Sequence, residues 1–346
     1  MSIKFNKHVS EAVLHSPLKD FELDHQTIEN RADPLTGWTG IIRTGRHFWQ
    51  HQYTTDENLL LEIAKETRER CFFCPEKVNQ STPRYPDEFI PGGRITVGET
   101  CLFPNLFAQK EHSAVAVMSR QHFVPLDQFT PELLANAFKA SSIYLKRLYE
   151  YTSLNLYCEI GFNYMFPGGA SIPHPHLQIL GSVWPTMLVS NLLQASQRYY
   201  QEQASCYWED LINAEKEAGE RYIARMGNVE WLVPFAAMRE DEVHGIVRNK
   251  SNFLELDDGD WENLGDGISR VFKFYKEGGL SSCNFALYSG PLGEKLDYFW
   301  AGVRIVSRSS VQAMSLNDVW FSQNLLYDGL VTKPPEEVAR EVLSYF

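Results

Sequence analysis

Cysteine is scarce in this chain, at six in 346 residues. That is too few for a disulfide scaffold and fits a reduced, cytoplasmic setting. No stretch approaches the roughly 20 apolar residues that a membrane-spanning helix needs. The opening residues, Met1-Ser-Ile-Lys-Phe-Asn-Lys-His8, have neither the apolar core nor the small-residue cleavage site of a signal peptide. Basic residues are in deficit, 32 Lys and Arg against 44 Asp and Glu, for a formal net charge of −12. A uniformly acidic surface repels phosphate backbones and anionic lipid, which argues against nucleic acid and membrane as partners. It leaves room for a local basic pocket holding one small phosphorylated substrate. Histidine numbers only ten, and none follows His244.

What is present is enough for a substantial core, with 44% hydrophobic and 13% aromatic residues. The length exceeds a usual single domain, so two compact units are expected. Asp33-Pro34-Leu35-Thr36-Gly37 predicts a tight turn before a short strand near Gly40 to Arg43. Residues 75–100, with Pro75, Pro83, Pro86 and Pro91, read as a long irregular loop. Beyond them the pattern becomes regular. A strand is predicted at Ser113 to Met118, a helix at Thr130 to Tyr149, and strands at Leu154 to Gly161 and His174 to Leu180.

A similar order recurs after one or two helices over residues 186–225. Strands are predicted at Trp231 to Phe235, Cys283 to Tyr288 and Phe299 to Val306, with a helix from Asp260 to Tyr275. Phe123-Val-Pro-Leu-Asp127 matches Phe253-Leu-Glu-Leu-Asp257 ahead of the two helices. His176-Leu-Gln-Ile-Leu180 falls opposite Gly302-Val-Arg-Ile-Val306. This reads as an internal duplication of a strand-helix-strand-strand unit, with both histidines in the first copy alone.

Two groups of residues can carry chemistry. Cys71-Phe-Phe-Cys74 has the spacing that lets two thiolates grip one tetrahedral ion, although a redox pair or chance would give the same pattern. Redox motifs of this kind open a helix after a strand, and a proline-rich stretch follows here, which favours zinc. Histidine is the preferred further ligand, and His122 and His174 are placed to serve. His122 read as a solvated loop residue is the plain alternative. In a strand, His174, His176 and Gln178 share one face, and Pro175 between them suits a rim position. Imidazoles and an amide on one face are costly as core packing. A neutral imidazole is also a nucleophile toward phosphorus near pH 7. Ser171 and the Gly168-Gly169 loop can offer hydroxyl and backbone N–H donors to phosphate oxygens.

His174-Pro-His176-Leu-Gln178, with Asn163 eleven residues before His174, resembles the galactose-1-phosphate uridylyltransferase family of the histidine-triad superfamily, whose hallmark is His-Pro-His-Gly-Gln. Asp33-Pro-Leu-Thr-Gly37 is similar to the family's Asn-Pro-Leu-Thr-Gly turn. The second half, through Trp231-Leu-Val-Pro-Phe235 and Arg304 to Arg340, extends the likeness over nearly the whole chain.

The resemblance implies an α+β fold of two tandem histidine-triad-like units, each an antiparallel sheet with packed helices, forming a duplicated half-barrel-like core. Their bounds are 1–185, catalytic and zinc-binding, and 186–346, without the histidine pair. It implies one structural Zn2+ on Cys71, Cys74, His122 and His174, and a nucleophile at His176 with Gln178 and Ser171 as its catalytic partners. Nucleotide and phosphate contacts would come from Arg46, Asn105, Asn163, Gly168, Gly169 and Gln323.

The implied activity is a ping-pong transfer of a nucleoside monophosphate between a nucleoside diphosphate sugar and a sugar 1-phosphate, in a cytoplasmic homodimer. Three departures stand out. Leu177 replaces the motif's glycine, Leu106 replaces an aspartate at the ribose contact, and Trp300-Ala-Gly302 stands where some members hold a second metal, so no iron-type site is expected. The competing readings are an ADP-sugar phosphorylase with inorganic phosphate as acceptor, a histidine-triad hydrolase, and a non-catalytic zinc-stabilised nucleotide-binding protein.

Overall fold

A computed structural model describes residues 3–44, 54–314 and 317–346. Its centre is a ten-stranded sheet. The first half of the chain supplies β4 (Ile95–Val97), β5 (Thr100–Pro104), β6 (His112–Val117), β7 (Tyr157–Tyr164) and β8 (His176–Ser182). The second half supplies β9 (Tyr222–Met226), β10 (Val229–Leu232), β11 (Val243–Val247), β12 (Ser282–Tyr288) and β13 (Gly302–Arg308). The order across the sheet is β4-β5-β6-β8-β7-β12-β13-β11-β10-β9, with every pairing antiparallel. Read outward from the seam between β7 and β12, both halves show the same order. The register repeats as well. Gln178 faces Gly161, Arg304 faces Ala286, and Gly161 faces Ala286 across the seam. A pseudo-two-fold through that last pair therefore interchanges the halves and puts Gly302 where the other half has His176.

Each half sends one long helix across the same face of the sheet. α3 (Pro131–Thr152) starts where the Thr130 side chain accepts from the Leu133 N–H, with Pro131 in the first turn. α6 (Asp258–Glu277) starts in a reciprocal capping box between Asp257 and Asp260. These helices bury Phe138, Leu145, Ile268 and Phe272 against the inward residues Ile160, Leu177, Phe285 and Val303 of the central strands.

The opposite face is closed differently in the two halves. In the second, α4 (Met187–Gln203) and α5 (Tyr207–Ala218) pack Leu192, Trp208 and Ile212 on Leu232, Ile246 and Tyr288. In the first, Phe73 of the Cys71–Cys74 turn and Val78 of the short helix after it pack on Phe103, Val115 and Val117.

Several sequence expectations shift. The 75–100 loop contains a helix, α2 (Pro75–Ser81), because Pro75 lacks only an N–H that a first helical turn leaves unbonded, and it ends in the β4–β5 hairpin. The N-terminal region forms a second sheet, ordered β1-β2-β3-β14, from β1 (Asn6–Ser16), β2 (Glu22–Ala32), β3 (Thr39–Ile42) and β14 (Gly329–Val331). The remaining helices are α1 (Glu57–Arg68), α7 (Phe321–Leu325) and α8 (Pro335–Leu343). No helix among the described residues is long and apolar enough to cross a membrane.

The strand expected from His174 begins at His176. His174 instead turns aside, and the Pro175 carbonyl accepts from the Met118 N–H at the strand's entrance.

Candidate active site and metal centre

Cys71, Cys74, His122 and His174 converge, with one donor atom from each lying within 4.8 Å of all the others. The turn after α1 carries Cys71, and Cys74 caps α2. His122 follows β6, and His174 precedes β8. All four are buried, so His122 is no solvated loop residue. Sγ of Cys71 lies 3.5 Å from Nδ1 of His174, and Sγ of Cys74 lies 3.5 and 3.7 Å from Nδ1 of His122 and His174. A tetrahedral zinc with ordinary Zn–S and Zn–N bonds separates S and N by about 3.6 Å, so the cluster has the dimensions of such a site.

The protonation chemistry agrees. Burial, with Cys71 beside it, pushes the Cys74 thiol up to about 12, so two thiolates need a cation between them. Burial lowers His122 and takes His174 down to about 4, leaving both as neutral imidazoles. Their outward nitrogens are anchored: Nε2 of His174 donates to the Ser119 carbonyl at 2.7 Å, and Nε2 of His122 lies 2.9 Å from the Thr67 hydroxyl. The cluster can hold one metal ion.

His176 opens β8 two residues beyond His174 and is 7% exposed. Its Nδ1 lies 2.8 Å from the His174 carbonyl, and a carbonyl can only accept, so Nδ1 carries the proton. Nε2 is left with its lone pair, and burial lowers the ring's pKa and keeps it unprotonated. Gln178 lies two residues along on the same face. Its Oε1 accepts from Nε2 of Gln109 at 3.2 Å, which leaves its own NH2 free to donate.

Asn163 sits at the end of β7 beside His176, since Phe162 pairs with Leu177. Its Oδ1 accepts from Asn284 at 2.7 Å, and the same Asn284 amide donates to the Gly168 carbonyl at 2.7 Å. Arg308, paired with Asp318, holds Oδ1 of Asn284 at 2.8 Å. Gly169 has φ +84, which ordinary residues avoid, and Ser171 beyond it is exposed. Asn105 follows β5 directly, and its side chain accepts from the Phe107 N–H, which shapes the loop that carries Gln109.

Gln323 lies elsewhere, in α7, where its amide reaches the Met238 and Leu330 carbonyls at 3.3 Å. Arg46 lies outside the described residues. Gln109, Asn284 and Arg308 were missed in the sequence because their neighbours are remote in the chain.

No family model matches the chain. An uncharacterized protein of Archaeoglobus fulgidus is 29% identical over 341 residues, 98% of each chain. Among solved structures, an ADP-glucose phosphorylase from Arabidopsis thaliana with bound ADP-glucose superposes with a TM-score of 0.70 at 19% identity, over 91% of this chain and 98% of that one. A GalT-like protein from Arabidopsis thaliana gives 0.68 at 20% identity, and a uridylyltransferase gives 0.65 at 20%, each with the same coverage. The resemblance read in the sequence is met at the level of the fold.

Proposed function

We propose that this chain is a nucleotidylyltransferase that works through a covalent nucleotidyl-histidine at His176. The observation that carries the reading is the neutral His176 ring, with Nδ1–H tied to the His174 carbonyl and the Nε2 lone pair unengaged. Nε2 attacks the α-phosphorus of a nucleoside diphosphate sugar. The N–P bond forms as the P–O bond to the sugar phosphate breaks, and the sugar 1-phosphate leaves with the electron pair. A second sugar 1-phosphate then attacks the same phosphorus and returns His176 to its neutral form.

The Gln178 NH2, the Ser171 hydroxyl and the N–H groups of the Gly168-Gly169 loop hold the phosphoryl oxygens as charge grows on them. Asn105, Asn163, Arg46 and Gln323 contribute to nucleotide binding, and the protein works as a homodimer. Zn2+ on Cys71, Cys74, His122 and His174 would stabilise the fold, because four protein ligands leave no position for substrate. The repeated strand order supports two tandem histidine-triad-like units, 1–185 and 186–346, of which the first alone is catalytic. Scarce, unpaired cysteines support a cytoplasmic setting.

A second reading has inorganic phosphate as the acceptor. It is favoured by Leu106, 66% exposed beside Asn105, where uridylyltransferases carry a ribose-binding aspartate.

Intact-mass measurement after incubation with UDP-, ADP-, GDP- and CDP-glucose, without acceptor, tests the proposal. One donor should add its nucleoside monophosphate mass at His176, and release by glucose 1-phosphate or by phosphate then separates the two readings. No adduct from any donor, and no turnover with either acceptor, would rule the transferase out.

A further inference from the structure

Two routes lead from the metal centre to His176. One is the backbone: His174 is one of the four residues that would hold the metal, and its carbonyl accepts the His176 Nδ1–H. A single hydrogen bond is a pivot, and a turn of the imidazole about Cβ–Cγ would take Nδ1 off that carbonyl and free its proton to move to Nε2. The other route is a side chain. Phe73 lies between the two cysteines, and the Cys71–Cys74 turn sends it inward, 6% exposed, while Phe72 points out at 41%. Its ring centroid lies 5.1 Å from that of His176, tilted by 59°, and 6.1 Å from that of His174, edge-on at 87°. Phe103 backs it at 5.8 Å, and Val115 and Val117, the cross-strand partners of Gln178 and His176, complete its packing.

We infer that Phe73 is a positioning residue which passes the geometry of the metal-holding turn to the His176 ring. It closes the space into which the imidazole would rotate, and so holds the tautomer and direction that present Nε2 to the substrate. The two halves of the motif then act as one device. Cys71 and Cys74 fix the turn, the turn fixes Phe73, and Phe73 denies the ring its second orientation. The ring contact contributes through fixed packing, so its effect falls on attack at phosphorus, with nucleotide binding left intact. This inference rests on His176 being the nucleophile.

Phe73→Ala in the zinc-loaded protein tests it by three measurements: bound zinc per chain, the 15N shifts of the His176 ring, and the rate of nucleotide adduct formation. Zinc should stay at one per chain. The ring should change from a single Nδ1–H tautomer to a mixture, and the adduct should form roughly tenfold more slowly at unchanged donor affinity. Should the alanine variant shed zinc, Phe73→Val carries the same test by the same criterion. A zinc-loaded variant with the parent's tautomer and adduct rate would overturn the inference. If the parent itself forms no adduct with any donor, the transferase reading fails, while the tautomer measurement still decides the role of Phe73.

Discussion

The two halves of the central sheet share strand order and register, yet only one carries the candidate chemistry. Where β8 presents His176 and Gln178, β13 presents Gly302 and Arg304. At Gly302 a Cβ would lie 2.8 Å from the Gly245 carbonyl and 2.9 Å from the Tyr288 hydroxyl, so in the second half a tyrosine fills the space that His176 takes in the first. Arg304 is turned inward on the fully buried Glu242, with Nη2 at 2.6 Å, and His244 joins the same carboxylate at 2.8 Å. Burial works to raise the Glu242 carboxyl, but Arg304 and His244 outweigh it and hold the group well below its usual range. The first half leaves a lone pair free, whereas the second engages its charges with one another. A shared backbone thus carries the candidate reactive face on one side and a support on the other.

The contrast breaks most sharply at His176. His176→Ala should abolish adduct formation, by about four orders of magnitude or more, while zinc and the melting temperature hold; intact mass and a thermal melt read both. Cys74→Ser should release the metal and lower the melting temperature by roughly 10 °C or more, as followed by metal analysis and calorimetry. A variant that stays zinc-loaded and equally stable would show the ligand assignment to be wrong. Gln178→Ala should slow adduct formation by about a hundredfold, the usual effect of losing one donor to a developing oxyanion, with donor affinity little changed in a titration.

Gly302→His asks whether the second half can be made reactive by sequence alone. It should gain no second adduct and lose about 1–3 kcal/mol in denaturant unfolding, because the new side chain meets Tyr288 and the Gly245 carbonyl. The smallest effect concerns the contacts that tie the second half to β2. Burial raises the Glu336 carboxyl, but hydrogen bonds from Arg31 and Arg221 prevail and hold it at about 2, below its ordinary 4.5. A depressed acid stabilises the fold above its unfolded value and loses that contribution as it protonates. Stability should therefore drop by on the order of 2 kcal/mol between about pH 4.5 and pH 2, and Glu336→Gln should flatten that part of the unfolding curve.

Legibility in the sequence followed the range of the interaction. α3 and α6 could be read because their caps, Thr130-Pro131 and Asp257 with Asp260, lie within a few residues of the turns they start. The match between His176–Leu180 and Gly302–Val306 could be read because both strands repeat one alternation of core and open-face residues. The β1–β2 hairpin could not, for both its faces are largely exposed and no apolar alternation marks it. α2 was hidden by prolines that read as a loop, though Pro75 fits a first turn. At the site, the four candidate metal ligands were legible as residue types and spacings. Gln109 on Gln178 and Arg308 on Asn284 were not, since nothing local in the chain announces a partner far away in sequence.

What the sequence determined by itself was the inventory: two thiols at C-x2-C spacing, two histidines flanking a proline, an amide two residues on, and a second half without them. Residue type and short-range spacing set which groups can ligate, attack or donate. The tertiary structure decided their division of labour. Pro175 delays the strand by two residues, which turns His174 toward the thiols and leaves His176 first on the face opposite the long helices. Packing then placed Phe73 against that ring and Tyr288 in the matching space of the other half. Those placements depend on which surfaces meet across the sheet, and a linear pattern of residues does not contain them.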